Sequence, residues 1–379
     1  MAGREKRRRV AALDGEERRR RQEEAATLLH RIRGLVRWVV AEVAAGRSPT
    51  VALHRYQNYC SSASAAAASP CACSYDVPVG TDVLSLLHRG SHASRLNVLL
   101  RVLLVVQQLL QQNKHCSKRD IYYMYPSIFQ EQAVVDRAIN DICVLFKCSR
   151  HNLNVVCTAL VMGWIRFLEG EKEVYCVTNV NAAFSIPVSI EAIKDVVSVA
   201  DYILIVEKET VFQRLANDKF CERNRCIVIT GRGYPDIPTR RFLRYLVEQL
   251  HLPVYCLVDA DPYGFDILAT YKFGSLQLAY DANFLRVPDI RWLGVFTSDF
   301  EDYRLPDCCL LHLSSEDRRK AEGILSRCYL HREAPQWRLE LEAMLQKGVK
   351  FEIEALSACS ISFLSEEYIP KKIKQGRHI

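Results

Sequence analysis

After residue 200 the chain alternates short apolar runs with stretches of helical character, and this alternation constrains the fold more than any other feature. Tyr202–Val206, Cys226–Ile229, Val254–Val258 and Trp292–Phe296 are each apolar and of strand length. Helical stretches separate them, over Thr239–Gln249 and near Phe265–Tyr271 among others. Strands alternating with helices predict a parallel sheet covered on both faces, an α/β arrangement.

The region ahead of it has another pattern. Leu- and Val-rich helical spacing predicts a helix from Arg95 to Gln112. Ser117 is placed to cap a second helix, because its hydroxyl accepts a free N–H of the first turn. A third helix is expected over Gln132–Phe146, a fourth after Ser149, and short strands including Glu173–Val177. Three helices with a small β-hairpin predict a winged-helix, helix-turn-helix domain over 84–185. The sheet domain then takes 186–379, and 1–83 form an extension.

Within the extension, residues 1–23 are expected to be disordered. Their basic clusters, Lys6–Arg9 and Arg18–Arg21, read either as a solvated tail or as a nuclear address. Over 24–45, Leu28, Leu29, Ile32, Leu35, Val36, Val39 and Val43 recur at helical spacing, and Gly46 is a stop. Such a stripe serves as core or as a partner-docking surface. Residues 61–80, rich in Ala, Ser and Cys, read as a linker.

The formal net charge is +7 over 379 residues. Residues 1–48 hold 13 Lys and Arg against 7 Asp and Glu, so nearly all the excess lies in the extension. Net charge is therefore a weak argument for a nucleic-acid-binding body, and a DNA groove must come from local clustering. The longest apolar stretches, such as Leu99–Val106 interrupted by Arg101, are too short for the roughly 20 residues that span a bilayer, so no membrane association is expected. The charged amino terminus lacks the apolar stretch of a secretory signal. The 15 cysteines are scattered and read as reduced thiols. Cys71 and Cys73, or the adjacent Cys308 and Cys309, lack the second pair that a zinc site needs.

In parallel sheets ligands gather at the carboxyl ends of strands. Glu207 follows the first apolar run directly, and Asp259 and Asp261 follow the third. Three hard oxygen ligands at one edge suit Mg²⁺, as one ion or two. Asp266 reads as a supporting acid or as a first-turn residue favoured by the helix dipole. Gly231-Arg-Gly-Tyr-Pro-Asp236 lacks the third glycine of a dinucleotide loop and the Gly-Lys-Ser/Thr of a P-loop. After a strand, its N–H groups can approach a phosphate, and Tyr234 a sugar or base. Arg240, Arg241 and Arg244 follow, as DNA-phosphate contacts or as a solvated face.

Arg119-Asp-Ile-Tyr-Tyr123 carries a second kind of chemistry. A phenol titrates near about 10 and attacks poorly at neutral pH. It becomes an effective nucleophile where a metal and an arginine stabilise the developing charge. Attack on a phosphodiester exchanges one ester for another without ATP. From pattern alone the two tyrosines read more often as core aromatics than as catalytic groups.

Arg119-Asp-Ile-Tyr-Tyr123, Val206-Glu-Lys-Glu-Thr210, Gly231-Arg-Gly-Tyr-Pro-Asp236 and Asp259-Ala-Asp-Pro-Tyr-Gly264 stand in the order found in the A subunits of topoisomerase VI. Over roughly residues 90–370 the chain resembles that family, and most of all its meiotic branch in a plant form. The resemblance implies a winged-helix domain carrying the nucleophile and a Toprim domain carrying the metal. It implies Tyr123 as nucleophile, Arg119 as transition-state stabiliser, Glu207, Asp259 and Asp261 as Mg²⁺ ligands, and Tyr234 as a DNA contact. It implies a nuclear enzyme that makes meiotic double-strand breaks with a 5′-phosphotyrosyl link on each end, so initiating homologous recombination. The implied partners are double-stranded DNA, a second A-type chain in a homodimer or heterodimer, and a B-type ATP-binding subunit docked on the helix at 28–43.

One departure stands against the pattern. The family places a Lys-Gly pair before the segment matching Leu160-Val-Met-Gly163, whereas Asn154-Val-Val-Cys-Thr-Ala-Leu160 runs through shorter and without that lysine. Loss of a phosphate-binding cation there keeps open a second reading, a DNA-binding scaffold that needs a catalytic paralogue. A third, a Toprim nuclease, needs no tyrosine.

Overall fold

A computed structural model of the chain describes residues 2–56, 78–86, 90–148, 150, 152–155, 159–169, 172–187, 190, 193–274 and 285–379. Two compact units divide at about residue 157, not at 185.

In the first unit, α1 runs from Ala2 to Ala44. The disorder expected over 1–23 is thus replaced by helix, in keeping with a run dominated by Ala, Arg and Glu, all strong helix formers. Gly46, at φ +71°, ends it where expected. Leu28, Ile32 and Val39 are buried, while Trp38, Val40 and Val43 are exposed. Leu28 and Ile32 pack with α2 (Gly90–Gln112) and α5 (Gln132–Phe146), so the unit uses part of the expected docking stripe as its own core.

Strands β1 (Thr50–Tyr56) and β2 (Pro78–Ser85) form an antiparallel pair. The expected linker at 61–80 lies almost wholly outside the described residues. Helix α2 is long and apolar enough to cross a membrane by length and composition, but Leu99, Val102, Leu103 and Val106 are fully buried in this core. Helix α3 (Lys118–Met124) starts at Ser117, whose hydroxyl accepts the Asp120 N–H while Asp120 reaches back to the Ser117 N–H. This reciprocal cap satisfies two of the four donors a helix start leaves open. A single turn, α4 (Pro126–Phe129), leads into α5. Ser149, the expected cap of a further helix, lies outside the described residues, and 152–154 form turns.

The second unit is built on a six-stranded sheet ordered β11-β10-β8-β9-β3-β6. Its members are β3 (Leu160–Gly163), β6 (Phe184–Ser185), β8 (Tyr202–Val206), β9 (Cys226–Thr230), β10 (Val254–Leu257) and β11 (Arg291–Gly294). The four expected strands are all present and mutually parallel. The sheet is nevertheless mixed, because β3 joins β9 and β6 joins β3 antiparallel. Gly163, at φ +118°, ends β3 against β9, where a Cβ would stand 2.1 Å from the Cys226 carbonyl oxygen. The strands β4 (Ile165–Glu169), β5 (Lys172–Tyr175) and β7 (Ile193–Ser198) form a separate three-stranded sheet of this unit. The hairpin expected as a wing of the first domain therefore belongs here. The reason is packing: Phe167 stacks edge-on against Phe242 of α8 (Ile237–Leu250).

Because side chains alternate across a strand, each central strand feeds two cores. Ile203, Ile205, Ile227, Ile229, Val254 and Cys256 pack with α8 and α9 (Pro262–Phe273). Leu204, Val206, Val228 and Leu257 face α6 (Glu209–Asn217), α7 (Phe220–Asn224) and the C-terminal Leu364, Tyr368 and Ile369. Burial on both faces explains why these strands read as continuous apolar runs.

Candidate active site

The carboxyl ends of β8 and β10 place the acids. β8 ends at Val206, and the Glu207 N–H donates to the Leu257 carbonyl, so the residue stays in register with β10. Glu207 Oε2 accepts the Asp259 N–H at 2.9 Å. Asp259 is buried; its Oδ1 accepts the Ile353 N–H at 2.9 Å and its Oδ2 pairs with Lys208 Nζ at 2.9 Å. Lys208 also reaches Glu354 at 2.9 Å and Glu352 at 3.2 Å. Asp261 caps α9, accepting the Gly264 N–H at 2.6 Å.

Burial, then the charges of Asp259 and Asp261, push the Glu207 carboxyl up to about 8. Burial pushes Asp259 up to about 6, against the Ile353 N–H and Lys208, and raises Asp261 against the Gly264 N–H. The three acids thus share one desolvated, electronegative edge, and their hard oxygens are of the kind Mg²⁺ takes. Among the described residues, however, no three His, Cys, Asp or Glu side chains gather at metal-holding spacing. Asp259 and Asp261 each accept from nearby protein donors.

The glycine loop is tied to the same edge. The Gly233 N–H donates to the Glu207 carbonyl at 2.9 Å. Gly231 lies over Tyr271, where a Cβ would meet its hydroxyl at 3.1 Å. Tyr234 is exposed and its hydroxyl donates to Asp266 at 2.8 Å. Asp236 caps α8 through the Thr239 N–H. Arg240, expected on a DNA-facing surface, is 1% exposed and lies within the unit instead. It occupies the inward face of α8, alongside Phe242 and Leu243. Arg241 is half-buried. Arg244 is committed to Glu248 and to the Arg286 carbonyl. Asp266 holds Lys320 and Arg327 as well as Tyr234, beyond the first-turn role its position suggested.

In the first unit, Tyr122 and Tyr123 part company. Tyr122 is half-buried and its hydroxyl donates to the Gln130 carbonyl at 3.2 Å. Tyr123 is 70% exposed, more than any other described aromatic side chain outside 2–21. Arg119 is exposed one helical turn before it, on the same face of α3.

Three participants escaped the sequence reading. Lys208 stands inside a motif already singled out, and adjacency to Glu207 was its signal. Gly264 is required because a Cβ would stand 2.6 Å from the Asp259 carbonyl oxygen and 3.0 Å from Glu207 Oε2. The segment 352–354, some 94 residues beyond Asp259, carried no signal.

Residues 94–155 match the family model for type IIB DNA topoisomerase. Residues 202–373 match that for the Toprim domain shared by Spo11 and the topoisomerase 6 A subunit. The chain is 99% identical to "Meiotic recombination protein SPO11-1" of Oryza sativa subsp. indica, over all of both chains. It belongs to the topoisomerase VI A-type/Spo11 family. Two further members lie at greater distance. The Arabidopsis thaliana "Meiotic recombination protein SPO11-1" is 59% identical over 92% of this chain and 95% of its own. The A subunit of the type 2 DNA topoisomerase 6 of Hyperthermus butylicus is 31% identical over 72% of this chain and 76% of its own. The resemblance drawn from four motifs is borne out, including its meiotic plant branch. The rice alignment covers 381 positions against the 379 residues here. The shortened stretch before Leu160 includes 156–158, which lie outside the described residues.

Proposed function

We propose that this chain is a nuclear, Mg²⁺-dependent DNA transesterase that makes meiotic double-strand breaks. Tyr123 is the nucleophile. Its phenol oxygen gives up its proton to solvent and bonds to a backbone phosphorus, the bond to the 3′ oxygen breaks, and that oxygen takes a proton from solvent and leaves as a hydroxyl. The product is a 5′-phosphotyrosyl link. Arg119 stabilises the charge that builds on the phosphoryl oxygens. Glu207, Asp259 and Asp261 hold the magnesium, which supplies Lewis-acid stabilisation of the same charge.

The observation that carries the reading is the division of labour within the tyrosine pair. Tyr122 is spent on Gln130, whereas Tyr123 stands exposed on a firmly capped helix with Arg119 one turn away. The three helices α2, α3 and α5 around a common core support a winged-helix assignment for the first unit. Double-stranded DNA, a second A-type chain and a B-type ATP-binding subunit complete the proposed assembly. Exposed Trp38, Val40 and Val43 on α1 are apolar positions open to the B-type partner.

The test is immunoprecipitation of the chain from meiotic cells and end-labelling of attached oligonucleotides. The wild type is expected to carry them and Tyr123→Phe to carry none. Adducts that persist in Tyr123→Phe overturn the assignment.

A further inference from the structure

Beside the acidic edge lies a cluster of opposite character. The Asp266 carboxylate, with 15% of its side chain exposed, takes three donors: the Tyr234 hydroxyl at 2.8 Å, Lys320 Nζ at 2.7 Å and Arg327 Nη1 at 2.6 Å. Two cations thus lie against one carboxylate. Lys320 lies on the helix Ser315–Leu325, which packs on α9. Its ammonium stands 4.9 Å from the ring centre of Tyr263 and 5.8 Å from that of Tyr234. Both rings are exposed, by 40% and 45%. Tyr263 lies in the first turn of α9, two residues after Asp261.

Two tyrosine rings left at a surface near one ammonium are not a packing solution, since burial of rings stabilises a core. The arrangement fits nucleic acid: the cation takes a phosphate and the ring faces take bases or sugars. The position adds an electrostatic reason. Carboxylates at the acidic edge repel a phosphate backbone, and the Lys320 ammonium beside them offsets that repulsion where DNA must approach.

We propose that Lys320 and Tyr263, with Tyr234, form a DNA-binding subsite flanking the acids, in which Lys320 contacts a phosphate and Tyr263 packs on the adjoining nucleotide. Asp266 orients the ammonium and the Tyr234 ring together. The proposal rests on the DNA-cleaving reading above.

The test is fluorescence anisotropy of the full-length chain with a labelled duplex in EDTA, over a series of salt concentrations. Lys320→Gln is expected to reduce the slope of log affinity against log salt by about one, the signature of one lost phosphate contact. Lys320→Arg keeps the slope. Tyr263→Leu is expected to weaken binding about fivefold or more at unchanged slope, and Tyr263→Phe to bind as wild type. Wild-type affinity and slope in Lys320→Gln overturn the proposal. Should that variant fail to fold, wild-type affinity in Tyr263→Leu overturns it instead. Oligonucleotide attachment to Tyr123 is scored separately, so a failed subsite and a failed cleavage reading give different results.

Discussion

The Asp259 N–H donates to Glu207 Oε2 at 2.9 Å, so the two strand-end acids are joined through backbone and not through a shared side-chain proton. This bond keeps the Glu207 side chain over the end of β10. It also means that the geometry of one acid depends on the main chain of the other.

Gly264 guards that geometry. A methyl group there has no room between the Asp259 backbone and Glu207 Oε2. Gly264→Ala is expected to destabilise the fold by about 1–3 kcal/mol, the usual range for overpacking. It is also expected to abolish DNA attachment to Tyr123. Chemical denaturation and adduct labelling read the two effects, and an active Gly264→Ala protein of wild-type stability contradicts the reading.

The raised carboxyls predict a pH dependence in EDTA. Glu207 has an ordinary value of 4.5 and is held at about 8 when folded. Between these values the folded chain keeps a proton that the unfolded chain has released. Stability must therefore fall as pH rises through that window. Asp259, moved from 3.8 to about 6, acts in the same sense over a lower range. Glu207→Gln is expected to flatten the upper part of the trend. Thermal melts of both proteins across the window decide it; parallel curves would count against the assigned shift.

Lys208 pairs with Asp259 and reaches two further acids on the segment 352–354. Lys208→Met leaves a buried carboxylate with a backbone donor alone, at an expected cost of about 1–3 kcal/mol. Magnesium is expected to recover much of this loss, because a cation then faces the same oxygens. Denaturation with and without Mg²⁺ measures it, and a loss unaffected by Mg²⁺ speaks against Asp259 as a ligand.

The ion pair Lys372–Asp299 is fully buried at 2.7 Å, and Asp299 also accepts the Tyr368 hydroxyl at 2.5 Å. Lys372→Ala is expected to cost about 3–5 kcal/mol, since it strands a buried charge. The double change Lys372→Met with Asp299→Leu is expected to cost less than the single one. Urea unfolding of the three proteins checks the order.

What the sequence determined by itself was local. The apolar runs at 202–206, 226–230 and 254–257 became parallel strands because residues buried on both faces of a sheet must all be apolar. Glu207, Asp259 and Asp261 reached one edge because each closely follows such a strand. Ser117 capped its helix because the Ser and Asp that do so are three residues apart. What only the tertiary structure decided was long-range or inward-facing. The spacing of α8 places three arginines on a helix, but burial alone sends Arg240 inside and leaves it off any DNA surface. Neighbouring Tyr122 and Tyr123 are chemically alike until Gln130 claims one hydroxyl. The hairpin at 165–175 joined the second unit because Phe167 found Phe242. Asp259 found Ile353 and Lys208 because partners so far apart in sequence meet only through packing, which no local pattern encodes.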